Sequence, residues 1–184
     1  MTEDEVQEYL ALPNQVMNVA SIAKDGRPHL VAMWYGFFAD GSPGFWTFNK
    51  AQKVVNLRRD PRITCLVESG DTYAELRGVE IIGTVTVSED EPDVLDIGRS
   101  VITRYPGPGT TIDPATISDD IVRRAANKRA AVRIQVEKIV SWDGQTRRLL
   151  NRSTHRPTVA QPNGLTPRPD LPVPGEIHPP NRLC

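Results

Sequence analysis

Phe45-Trp-Thr-Phe-Asn-Lys-Ala-Gln-Lys-Val-Val-Asn-Leu-Arg-Arg-Asp-Pro-Arg62 reads as a short aromatic strand running into a helix. Phe45 to Phe48 make the strand. Asn49 is placed to cap the helix, its side-chain oxygen accepting from an early amide. Pro61 stops the helix at Asp60, because the residue before a proline is pushed out of the helical region. Ala51, Val54, Val55 and Arg58 have the spacing of a half-buried helical face. Arg58 and Arg59 fall in the last turn, where cations complement the helix dipole. Lys50 and Lys53 fall in the first turn, where cations oppose it. Free amides and two ammonium groups then converge with no fixed anion beside them. Two readings stand. The helix start receives a phosphate or carboxylate from outside, or both lysines point into water, which helix propensity tolerates.

Upstream, Thr2 caps a helix through Leu12 whose first turn holds Glu3, Asp4 and Glu5, with Val6, Tyr9 and Leu10 as its apolar stripe. Val16 to Ile22 alternates as a strand does, with Met17, Val19 and Ser21 on one face. Asp25-Gly26 signals a tight hairpin, and the return strand runs from Pro28 to about Phe38. A second turn, Asp40 to Gly44, leads into Phe45–Phe48. Downstream, Arg62 to Glu68 is a fourth strand and Leu76 to Val87 a fifth. Val79, Ile81, Val85 and Val87 share one face of the fifth. Gly78 and Gly83 within it mark bulges or close backbone contacts. A helix from Pro92 to about Tyr105, a more polar helical piece from Ser118 to Lys128, and a last strand from Arg129 to Trp142 complete the pattern. The expected architecture is mainly β: a six-stranded antiparallel barrel with peripheral helices, since strands of this kind bury their edges by curling. A small barrel fills its lumen with side chains, so a cofactor must bind outside it, in a groove or at a subunit contact.

The chain has 184 residues, 39% hydrophobic and 24% charged, which fits a globular domain with a real core. Its formal net charge of -1 provides no field to recruit nucleic acid or an anionic membrane. The acidic start has no signal peptide, and no apolar run reaches the ~18 residues of a membrane span, so a cytoplasmic location is expected. Residues 1–150 form the expected domain. Residues 151–184 hold eight of the 16 prolines and no aromatic residue, and are expected to run extended or disordered.

Chemistry-bearing motifs are sparse. Cys65 lies in the apolar run Ile63 to Val67 and reads as a buried small hydrophobe, not as a nucleophile paired with His29. There is no nucleophile elbow, phosphate loop or metal-ligand spacing. No catalytic acid–base pair and no metal site is assigned. What remains is the anion-ready helix start, the aromatic strand before it, and Met33-Trp-Tyr-Gly-Phe-Phe38 nearby. Those parts suit a flat ring system with a phosphate tail.

Asn18-Val-Ala-Ser-Ile22, Asp25-Gly-Arg-Pro-His-Leu-Val-Ala-Met-Trp-Tyr35, Phe45–Phe48, Lys53-Val-Val-Asn-Leu-Arg-Arg-Asp-Pro-Arg62 and Ala74-Glu-Leu-Arg-Gly78 resemble the split β-barrel flavin and deazaflavin oxidoreductases of the pyridoxamine-phosphate-oxidase-like superfamily. The resemblance covers about Val16 to Trp142. It implies a homodimer with the cofactor in a groove between subunits, and a small-molecule substrate. The branch with this Asn-Leu-Arg-Arg-Asp-Pro run commonly uses coenzyme F420, and related branches use FMN. Carried over by position, the resemblance implies that Lys53 and the amides of Ala51 and Gln52 form the phosphate-binding turn, with Thr47 and Lys50 at its edge. It places Met33, Trp34 and Tyr35 on the strand against the ring, and Asn56 on a helix position facing the site. Where relatives often carry Ser or another donor, this chain has Ala51. The expected activity is hydride transfer between F420 and a small electron-poor substrate. FMN-dependent chemistry on the same fold is the first alternative and non-enzymatic cofactor binding the second.

Overall fold

The structure is a computed structural model that describes residues 1–106 and 116–144, all within one compact unit, Met1–Ser153. The expected proline-rich tail lies outside the described residues. In chain order the elements are α1 (Glu3–Ala11), β1 (Met17–Ile22), β2 (Pro28–Met33), β3 (Gly36–Phe37), β4 (Pro43–Phe48) and α2 (Gln52–Arg59). There follow β5 (Arg62–Ser69), β6 (Arg77–Ser88), α3 (Glu91–Arg104), α4 (Asp119–Ala126) and β7 (Arg129–Asp143).

The seven strands form one antiparallel sheet in the order β2-β1-β5-β6-β7-β4-β3. The return strand expected over Pro28–Phe38 is divided. Its first half pairs with β1 at one edge, and its second half with β4 at the other. Only Trp34 and Tyr35 lie between Met33 and Gly36. Three Cα steps of about 3.8 Å hold these strand ends within about 11 Å. The sheet therefore curls until its two edges almost meet, a split antiparallel barrel of seven strands rather than six.

Alternation decides what fills it. Met17 and Val19 of β1, Ile63, Cys65 and Val67 of β5, and Val79 and Ile81 of β6 point inward and are buried. α1 and α2 close the core with Val6, Tyr9, Leu10 and Leu57. On the outer side, α3 and α4 pack Val94, Ile97, Val101 and Val122 around Trp46 and Phe38 in a second cluster. Thr2 and Glu5 make a reciprocal capping box at α1. The hairpin turn works as expected, with Gly26 at φ 85° and its amide donating to Ala23 O at 2.9 Å. Both glycines of β6 mark irregularities. The β6–β7 register shifts between Ile82 and Gly83, and the Trp142 ring lies over Gly78.

Candidate functional site

α2 begins two residues later than the sequence suggests. Its N-cap is Ala51, which offers no capping side chain. Asn49 instead sits in the preceding turn and donates from Nδ2 to Glu89 at 2.7 Å, and its backbone amide donates to Lys128 O. The Ala51 amide is not free to hold a phosphate, because it donates to Phe48 O at 2.9 Å. The Val54 and Val55 amides close on Ala51 O. That leaves the first-turn amides of Gln52 and Lys53 without a partner among the described residues, as uncapped helix starts do.

Lys53 is the one lysine of the pair placed for anion binding. Its Nζ donates to Thr47 Oγ1 at 3.0 Å, and burial lowers its pKa below that of an ordinary lysine. A dehydrated ammonium next to unpartnered amides gains by meeting an oxyanion. Lys50 is exposed and makes no hydrogen bond or ion pair among the described residues.

Three further expectations need correction. Val54 and Leu57 are the buried apolar residues of α2, whereas Val55 is 49% exposed and Arg58 faces out to Glu89. Asn56 is fully buried and does not face a cleft. Its Nδ2 donates to Ser21 Oγ at 3.2 Å, and its Oδ1 accepts from Gln52 at 2.9 Å, tying α2 to β1. The Tyr35 side chain is also fully buried. Its hydroxyl donates to Leu10 O at 2.8 Å and accepts from Arg104 at 2.8 Å, and burial raises its pKa despite the Arg104 charge. The Tyr35 side chain therefore anchors the split between β2 and β3, and at this position only the backbone is left for the ring contact that the resemblance implies.

Met33 and Trp34 do line a cleft. An open cavity of about 330 Å³ is walled by Val16, Ala32, Met33, Trp34, Trp46 and Arg129. Trp34 is 58% exposed and stacks on Tyr105, with centroids 5.0 Å apart and rings 7° from parallel. Trp46 is fixed from behind by α3, where Gly98 is required: a Cβ there would stand 2.5 Å from the indole. Arg129 lies over the rings of Trp46 and Phe48 at 4.6 and 4.8 Å. The sequence reading passed over Arg129. Its signal was the cross-strand pairing of β4 with β7, which puts Arg129 opposite Phe48 and beside the aromatic strand.

Strand β4 thus separates two groups of residues. Thr47, with Lys53 above it, faces the side of the core residue Phe45; Trp46 and Phe48 face the other. Thr47, Lys50, Ala51, Gln52 and Lys53 are not part of the cleft wall. Among the described residues no group of three or more His, Cys, Asp and Glu could hold a metal ion, and no helix is long and apolar enough to cross a membrane.

A curled, split antiparallel barrel, with a cation at an uncapped helix start on one side of an aromatic strand and an open cleft on the other, defines a class of split-barrel proteins. A profile of the pyridoxamine 5'-phosphate oxidase family matches residues 2–143, and the chain belongs to that family. Among solved structures, a conserved hypothetical protein from Mycobacterium tuberculosis is 37% identical, with 88% of this chain and 93% of that chain covered and a TM-score of 0.70. An F420 reductase shares the fold at 24% identity, covering 72% of this chain and 94% of its own, with a TM-score of 0.51. A heme storage protein from Vibrio cholerae shares it at 11% identity, covering 77% and 93%, with a TM-score of 0.56. No curated protein sequence matches.

Proposed function

We infer that the protein is an oxidoreductase that uses the deazaflavin coenzyme F420 to exchange hydride with a small electron-poor organic substrate. The observation that carries this reading is Lys53, partly dehydrated over Thr47 beside the free amides of Gln52 and Lys53. These residues fit a phosphate; the aromatic cleft opens on the opposite face of β4 and is a separate site for a flat ring. When bound, the deazaflavin supplies the hydride chemistry. The chain's own residues then bind and orient: Lys53 and its amides hold the phosphate, and Met33 and Trp34 wall the cleft and exclude water.

FMN is the second reading, and a specific observation favours it. The basic residues beyond the phosphate turn are already engaged. Arg58 bonds Glu89, Arg59 bonds Ile22 O, and Arg62 is held bidentate by Asp60. Of the three, only Arg59 has no carboxylate partner among the described residues, which leaves little uncommitted positive charge for a long acidic tail. Parallel titration of the purified protein with F420 and FMN, with Lys53→Met alongside, separates the readings. The expected result is F420 binding that weakens about 10- to 100-fold in Lys53→Met, the size of a lost charge-assisted contact. Tight FMN binding with no F420 binding decides for the alternative, and binding of neither removes both.

The same reading includes a homodimer. By register, Leu30, Ala20, Thr64, Ile82 and Lys138 form one row across the outer sheet face, and Ala32, Asn18, Leu66, Glu80 and Val140 the next. Leu30 is 65% exposed, and Val140 and Trp142 are exposed as well. A sheet face of this extent, with exposed apolar residues around Glu80 and Lys138, suits a second copy of the chain. Ala32 belongs both to that face and to the cleft wall, so a partner seated there would border the cleft.

A further inference from the structure

Arg129 stands apart from the other half-buried arginines of the described residues; the exposed Arg124, like it, donates only from Nε to a backbone carbonyl, that of Asp120. Arg27, Arg58, Arg62, Arg77, Arg99, Arg123 and Arg133 each pair with a carboxylate. Arg59 and Arg104 are bound to backbone carbonyls, Arg104 to those of Leu10, Ala11 and Leu12. Arg129 donates only from Nε, to Ala125 O at 2.8 Å. A guanidinium carries five N–H donors. The other four have no partner among the described residues, although the group is half-buried.

Its surroundings hold it there. The guanidinium carbon lies over the rings of Trp46 and Phe48, and the side chain forms part of the cleft wall together with Trp34. Burial lowers its pKa, the mark of a cation short of counter-charge. The acids on its other side are already committed: Glu89 to Asn49 and Arg58, Glu91 to Arg123. A preorganised, planar, uncommitted fork between aromatic walls matches an oxyanion carried on a flat ligand.

We propose that the cleft between Trp34 and Trp46 is a binding site for a flat conjugated molecule bearing a carboxylate or phosphate, and that Arg129 takes up its acid group. The assignment is independent of which redox cofactor the protein uses. The acid group belongs either to a cofactor or to a substrate, and the test distinguishes them.

The test is calorimetric titration of the full chain with naphthoate and with its neutral isostere naphthamide. In the unmodified protein naphthoate binds more tightly by about 10- to 100-fold, the range that a charge-assisted bidentate contact supplies. Arg129→Gln abolishes that preference while naphthamide affinity stays within about twofold, and Arg129→Lys retains part of it because the charge survives without the fork. Equal affinity for the two ligands in the unmodified protein, or a preference undiminished in Arg129→Gln, overturns the assignment. Because the first of these outcomes needs no variant, the proposal stays testable if Arg129→Gln fails to fold. Repeating the titration with saturating F420 locates the source. Displacement of naphthoate places part of the cofactor in this cleft, and simultaneous binding assigns the acid group to a substrate. Naphthoate preference without any F420 binding keeps this site and removes the deazaflavin reading.

Discussion

The Lys53 ammonium is the residue on which a phosphate ligand would feel pH. Burial depresses its pKa in the folded protein. In the unliganded protein the unfolded chain holds that proton to higher pH, so stability rises as pH climbs through the lowered pKa and levels off near the ordinary lysine value. A bound oxyanion reverses the balance by favouring the charged form. Affinity for a phosphate-bearing ligand should therefore be highest below the lowered pKa and fall in the alkaline range. The fall should be absent in Lys53→Met, and a pH series of binding isotherms checks this. Cys65 behaves oppositely. Burial pushes its thiol up to about 12 from an ordinary 9.0. The unfolded chain ionises first, so this group withdraws stability as pH rises above about 9. At neutral pH the thiol stays protonated and inaccessible, and mass-spectrometric mapping of iodoacetamide labelling should find Cys65 modified only as fast as the protein unfolds. Its burial was legible from the apolar run around it. The buried roles of Tyr35 and Asn56 were not, because both are polar and their partners, Arg104 and Ser21, lie 69 and 35 positions away in the chain.

At the scale of elements, α2 shows how one hydrogen bond sets a helix face. Counting only apolar spacing assigns Val55 and Arg58 to the core side; the structure assigns Val54, Asn56 and Leu57. Ser21 supplies the reason. It lies on the inward face of β1 with Met17 and Val19, and a buried hydroxyl there needs a partner. Asn56 provides it at 3.2 Å and so rotates α2 to bring Leu57 into the core. The clue was present in the alternation of β1, but only the tertiary pairing says which helix answers it. Asn56→Ala should leave Ser21 unpaired and cost about 1–3 kcal/mol. Asn56→Ala with Ser21→Ala should cost less than the sum of the two single changes, since both partners are then removed. Urea unfolding of the four proteins in that cycle measures the coupling. Additive losses would mean that α2 is oriented by apolar packing alone.

For the whole molecule, the break at Trp34–Tyr35 is the decisive feature, and periodicity could not show it. Leu30 to Phe38 is a single run of apolar and aromatic residues around Gly36, and nothing local says that its halves serve opposite sheet edges. The closure comes from long-range pairing of β2 with β1 and of β3 with β4, stabilised where Tyr35 buries its ring and binds Arg104. Curling in this way gives the sheet one inward face filled by side chains and one outward face that α3 and α4 cover only around Trp46. The uncovered remainder carries Leu30, Leu66, Ile82 and Val140 with Glu80 and Lys138 among them. Two copies meeting there by a twofold axis would bury those apolar residues and let Glu80 of one face Lys138 of the other. Stable dimers commonly bury about 1,600 Å² in total, and only a surface of several strands can supply that. Leu30→Glu is the test suited to this scale. Leu30 is 65% exposed, so a carboxylate there leaves the isolated fold intact. At a buried interface the same carboxylate meets its twofold-related copy or loses its water. Analytical ultracentrifugation should show a dimer in the unmodified protein and a monomer with unchanged circular dichroism in Leu30→Glu. If the cleft beside Ala32 is completed by the second copy, ligand affinity falls with dissociation and recovers at protein concentrations that restore the dimer. A monomeric Leu30→Glu that binds ligand unchanged would instead mean that each subunit carries a complete site.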